Sequence, residues 1–167
     1  MRTNPLNEAW AFLTGTSSFH QEAGAQGILM VPLFYILLIA SIWIARKNWL
    51  EDPSQRTTEH LVTWFFRVMI GIMWFEGSIW KLPLPISEGF SFWVGEMGKH
   101  AAFGWHQWLA INVYKPLLIL INPMVFLTEV SLAVSYMLGF GVRLFGIVGM
   151  LFAFHLYLGL YRHPNEW

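Results

Sequence analysis

The sequence predicts an all-α integral membrane protein, with four transmembrane helices in a bundle and an amphipathic interfacial segment. Composition is the first reason. Of 167 residues, 56% are hydrophobic and only 12% charged, against about 25% charged in a soluble domain. Mean hydropathy is +0.48. Uncharged runs of span length are the second reason, and aromatic content is the third. Ten Trp, five Tyr and fourteen Phe suit both interfacial belts and packed helix faces. Net charge is zero, which argues against nucleic acid as a partner. The chain has no cysteine, so disulfides, thiolate-held clusters, c-type haem and cysteine nucleophiles are excluded.

The first 26 residues are fairly polar, and no small-residue cleavage site follows the first apolar run, so no cleavable signal peptide is expected. Residues 23–45 are then uncharged up to Arg46-Lys47. At ~1.5 Å per residue, a run of ~20 crosses the hydrocarbon, which predicts a first span over about 27–45. Pro32 is expected near its start, where a missing N–H does least harm. The polar loop 46–60 holds the turn signal Asp52-Pro53-Ser54. A second span, 61–81, stops at Leu82-Pro83-Leu84-Pro85, because two prolines two apart cannot continue a helix.

Residues 86–115 are too polar to span. They mix Glu88, Glu96, Lys99, His100 and His106 with Phe90, Phe92, Trp93, Phe103, Trp105 and Trp108. This pattern fits an amphipathic segment in the headgroup plane, or a loop packed on the bundle. Asn122-Pro123 reads as an N-cap and first-turn proline, opening a third span over 123–142 with a short approach helix at 117–121. Gly139-Phe140-Gly141 and Arg143 mark a tight turn. The fourth span, 144–161, carries Gly146, Gly149, Ala153 and Gly159, small residues that let helices approach closely. Neither an internal repeat nor a domain boundary interrupts residues 1–167. The density of Arg46, Lys47, Arg56 and Arg143 in short loops favours that side as cytoplasmic. Both termini and the aromatic segment are then expected on the outer face of a bacterial or archaeal cytoplasmic membrane.

The second span is the chemically unusual one, since it carries Arg67, Glu76 and Lys81. An ionisable group at bilayer depth costs at least ~2.5–3.5 kcal/mol, so such groups pair, face a cavity or sit at helix ends. At about 100° per residue, Arg67, Gly71, Trp74, Ser78 and Lys81 fall within roughly 80° of one another, with Glu76 opposite. Glu129 of the third span is expected to be satisfied by Arg67, by Lys81 or by a buried hydrogen-bond network, giving an intramembrane polar set of Arg67, Glu76, Lys81 and Glu129. His155 is a candidate to bond a quinone carbonyl, to ligate haem or chlorin, or to bond a neighbouring helix. His100 and His106, six apart, are not a same-face pair. With His20 and His163 they are placed on the outer side, and no metal site is expected.

The pattern Arg67-x3-Gly71-x4-Glu76-Gly77-x3-Lys81-Leu82 resembles the first-helix pattern of the DoxX/DoxD-like membrane proteins. The likeness continues through the aromatic loop, the helix with Glu129, and Leu138-Gly139 with Arg143, covering about 61–167. It implies a small four-helix membrane protein. In DoxD-like members it implies the large subunit of a thiosulfate:quinone oxidoreductase that works with a DoxA-like partner. Residues 23–45 then form an additional helix. The family's last helix is expected to begin near His163-Pro164, where this sequence stops; either the sequence is incomplete, or that helix is lost and the first span or a partner's helix is expected in its place.

Two functions follow as expectations. One is a subunit of a quinone-linked electron-transfer system, not active alone. Trp74 and Trp80 would flank the quinone ring, and Lys81, Lys99, His100 and His106 would attract an anion at the outer face. The other is a non-catalytic accessory subunit of a larger respiratory or photosynthetic complex, packed against other membrane subunits, lipid, quinone or pigment. A transporter is disfavoured by the lack of an inverted repeat.

Overall fold

The structure is a computed structural model and describes residues 5–17 and 25–164. Among the described residues it is helical throughout, without strands. The helices are α1 (Pro5–Leu13), α2 (Ala25–Glu51), α3 (Thr58–Ile79), α4 (Glu88–His100), α5 (Gly104–Leu109), α6 (Leu118–Leu138) and α7 (Val142–Gly159). A 3-10 turn, Pro53–Gln55, separates α2 from α3, and a π-helical turn, Ala110–Tyr114, follows α5. Among the described residues four helices are long and apolar enough to cross a membrane: α2 from Ile28, α3, α6 and α7.

The α3–α6 pair is the central contact of the bundle. Gly71 makes it close: a Cβ there would lie 2.6 Å from Met137 Cγ and 3.2 Å from the Ala133 carbonyl. Beside this seam lies a core of Phe12, Phe34, Ile72, Phe75, Ala133 and Met137. Phe34 meets Phe12 edge-on at 4.8 Å and Phe75 at 5.4 Å. This core fastens α1 and α2 to α3. The Ser41 hydroxyl of α2 donates to the Met137 carbonyl at 2.5 Å and accepts from Trp64 Nε1 at 3.1 Å. By contrast, α7 buries only Gly149 and Gly159. Its Ile147, Met150, Leu151 and Phe154 point outward as a continuous apolar face, which suits lipid or another membrane helix.

Helix boundaries differ from expectation at two prolines. Helix α2 starts at Ala25 and extends past Arg46-Lys47 to Glu51, so Pro32 is inside it, two turns from the start. Helix α6 begins at Leu118, so Pro123 is also interior and Asn122 does not cap it. The reason is tertiary. The Asn122 amide donates to the carbonyls of Lys81 and Pro85 at 3.0 and 3.1 Å, so it is spent on the loop after α3. Elsewhere the caps follow local rules. Thr57 accepts from the His60 N–H and Ser87 from the Phe90 N–H, opening α3 and α4. Gly139 and Gly141 take φ of +79° and +62° at the α6–α7 turn.

The aromatic segment folds onto one end of the bundle. Helices α4 and α5 and the π-turn pack on each other and reach α7. Phe90, Val94 and Met97 point inward, whereas Phe92, Phe103, Trp105 and Trp108 stay exposed.

Candidate binding cavity beside a buried ion pair

Lys81 leaves the end of α3 as the chain turns toward Asn122, and Glu129 projects from the middle of α6. Their side chains meet, with Lys81 Nζ 2.5 Å from Glu129 Oε2 and each side chain 3% exposed. The ammonium also donates to the Gly77 carbonyl at 2.5 Å. It lies 3.7 Å from the centre of the Trp80 ring, over its face. Asn122 fixes the backbone on which Lys81 stands, through the carbonyl bond described above. Such a pair is satisfied electrostatically and removed from water, so a polar ligand group can meet it without competing solvent.

The pair forms part of the wall of a cavity of about 540 Å³. Aromatic rings line much of it: Trp80, Phe90, Trp93, Tyr114 and Phe152. Ile121, Val125, Met97 and Leu156 supply aliphatic wall. Its polar groups are few: the ion pair, Thr128, Tyr114 and His155. The Thr128 hydroxyl is engaged with the Met124 carbonyl at 2.8 Å. Burial pushes the Tyr114 phenol up, holding it in its donating, neutral form. The volume, the apolar lining and the small polar set are those of a small-molecule site.

Behind His155 lies His106. The two ring centres are 4.6 Å apart, and Tyr114 meets His155 edge-on at 5.7 Å. His106 is 0% exposed, stacked on Trp105 at 5.0 Å. Neither of its ring nitrogens has a hydrogen-bond partner among the described residues. Burial lowers the pKa of the imidazole and favours its neutral form.

The structure redistributes the residues singled out from sequence. Lys81, Glu129, Trp80 and His155 converge on the cavity. Arg67 does not join them. It is half-buried in the middle of α3, its guanidinium against Gly139, where a Cβ would approach within 3.1 Å. Glu76 is buried but lies outside the cavity wall. Trp74 stacks on Phe152 at 5.7 Å without lining the cavity. The residues of the expected outer cation patch are not gathered in one place: Lys81 pairs with Glu129, His106 is buried, and Lys99 and His100 contact Glu96. His20 lies outside the described residues. The contact of Glu96 with Lys99, His100 and His163 escaped sequence reasoning. Its readable half was the Glu96-x3-His100 spacing, one helical turn. No family model, curated protein or solved structure matches this chain.

Proposed function

We propose that the chain is an integral membrane subunit of a quinone-linked electron-transfer system, and that the cavity takes the quinone head group. The observation that carries this reading is a largely aromatic cavity with a buried Lys81–Glu129 pair on its wall. A quinone is a flat ring with a carbonyl at either end. Such a ring needs aromatic or aliphatic walls to stack on and hydrogen-bond donors near its oxygens. Trp80, Trp93 and Phe152 supply walls, and the Tyr114 hydroxyl, His155 and the Lys81 ammonium supply donors. Reduction also takes up protons; these come from water, with the Glu129 carboxylate of the same wall as a relay.

The electrons come from a partner subunit, since ordinary side chains do not hold an electron at physiological potentials. The DoxX/DoxD-like resemblance supports the same class. The charge of Lys81 is balanced by Glu129, so an anionic donor such as thiosulfate is assigned to a partner rather than to this chain. The protein is placed in a bacterial or archaeal cytoplasmic membrane, with the α4–α5 end and both termini outward.

The test is photolabelling of the purified protein in lipid nanodiscs with a short-chain azidoquinone. Labels on the 121–129 and 90–97 peptides, displaced by unlabelled quinone but not by an alkyl benzene of equal length, are expected. Labelling confined to the outward face of α7 would reject the site.

A further inference from the structure

A second cluster lies away from the ion pair, where the end of α4 meets the turn after α7. Glu96 and His100 stand one helical turn apart on α4, and His163 arrives from the turn beyond Gly159. His100 Nε2 is 3.3 Å and His163 Nε2 is 3.5 Å from Glu96 Oε2. One ligand atom from each residue lies within 4.8 Å of the others. A tetrahedral ion with bonds of about 2.0–2.1 Å has ligand–ligand edges of roughly 3.3 Å. Two of the three edges are close to that length, and the third, within 4.8 Å, shortens when an ion draws the imidazoles in.

We propose that Glu96, His100 and His163 form a binding site for a zinc-class divalent metal ion. Two imidazoles and a carboxylate are the donor set of open zinc sites, with a fourth position left for water. Imidazole nitrogen selects Zn²⁺ and its neighbours over Mg²⁺ and Ca²⁺, which take oxygen ligands. The backbone is held in place for this. Arg162 N–H donates to the His100 carbonyl at 2.9 Å, and Ala102 N–H to the Leu158 carbonyl at 2.8 Å. Arg162 Nη2 adds a bond to the Ala102 carbonyl at 3.1 Å. Ligands distant in sequence are therefore already neighbours, and little ordering remains for the ion to impose. Trp93 packs on the His163 ring at 5.3 Å and limits its rotation.

The competing account is a plain ionic cluster, because Lys99 Nζ is 2.6 Å from Glu96 Oε1. Lys99 uses the other carboxylate oxygen, however, and its side chain is 67% exposed. It can turn to water as an ion enters, relieving the like-charge contact. The two accounts therefore differ in sign at Lys99: removing its charge weakens an ionic cluster but tightens a metal site. Because Met97 of α4 and Leu156 of α7 both line the cavity, a bound ion would staple two of its walls together. The metal site does not depend on which molecule fills that cavity.

The test uses the full chain, purified without a polyhistidine tag, stripped with EDTA and kept in mild detergent. Co²⁺ is titrated by its visible absorption, and Zn²⁺ by competition. One Co²⁺ per chain with four-coordinate absorption is expected, displaced by Zn²⁺ and not by Mg²⁺. His100→Gln and His163→Gln should each weaken Zn²⁺ at least about tenfold, since even the loss of an outer-shell partner costs 10–100-fold. Lys99→Gln should tighten it. The absence of saturable uptake by the unmodified chain would overturn the proposal on its own, whatever the variants do. Unchanged affinity in both histidine variants, or weakened binding in Lys99→Gln, would also overturn it.

Discussion

Lys81 Nζ lies 2.5 Å from Glu129 Oε2, and both side chains are 3% exposed. Removing one member of such a pair strands a charge in a dry site, at about 3–5 kcal/mol, whereas replacing both with apolar groups is often neutral. Lys81→Met and Glu129→Leu should each lower thermal stability in detergent sharply, and the double variant should recover most of the loss. Glu129→Gln should impair assembly less than Glu129→Leu. A double variant as unstable as the sum of the singles would contradict the pairing.

Asn122 is expected to matter through the backbone it holds. Asn122→Leu deprives the buried Lys81 carbonyl and the part-buried Pro85 carbonyl of their donor. Each unsatisfied group costs about 1–3 kcal/mol. Chemical denaturation in detergent should show a loss of that order, and quinone affinity should fall as Lys81 shifts. A variant with wild-type stability and affinity would rule out this role.

The difference between what the sequence disclosed and what it withheld shows at these same residues. The positions of the long apolar helices were legible because uncharged run length is a local property, and Gly139 and Gly141 marked their turn for the same reason. Helical periodicity reduced the partner of Glu129 to Arg67 or Lys81, but only packing decides between groups on one stripe. Asn122-Pro123 reads identically whether the amide caps its own helix or reaches a distant loop. Pro123 therefore fixed no boundary. His106 gave no sign of burial, since its neighbours Trp105 and Trp108 are exposed. His163 meets Glu96 only because two chain segments dock, which no spacing encodes.

The seam between α3 and α6 gives a steric prediction. A Cβ at Gly71 would strike Met137 Cγ at 2.6 Å and crowd the backbone of Ala133 and Met137 at 3.2 Å. Met137 can yield but the backbone cannot, so Gly71→Val should cost about 1–3 kcal/mol through overpacking. Thermal unfolding of the purified variant measures this. A neutral result would mean that the two helices are not in close contact.

His106 should make stability depend on pH. Its folded pKa lies below the ordinary value of 6.5 because of burial. As pH falls below 6.5, the unfolded chain takes up a proton that the folded chain does not accept until its own lower pKa is reached. The His106 contribution therefore lowers stability in that interval and is level above it. His106→Phe, which keeps the stack on Trp105, should flatten the acid side of a stability profile. An unchanged profile would remove His106 as the cause.

The cavity beside Lys81 and Glu129 is tested most directly by filling it. Val125 lines the wall, and Val125→Trp would place an indole where the quinone ring is proposed to lie. The measurement is equilibrium binding of a radiolabelled short-chain quinone to the purified wild-type and Val125→Trp proteins in nanodiscs, with thermal unfolding recorded on both. Saturable binding at one quinone per wild-type chain, lost in a Val125→Trp protein that unfolds at the same temperature, is the predicted result. Equal binding by the two proteins, or only non-saturable uptake by the wild type, would contradict it.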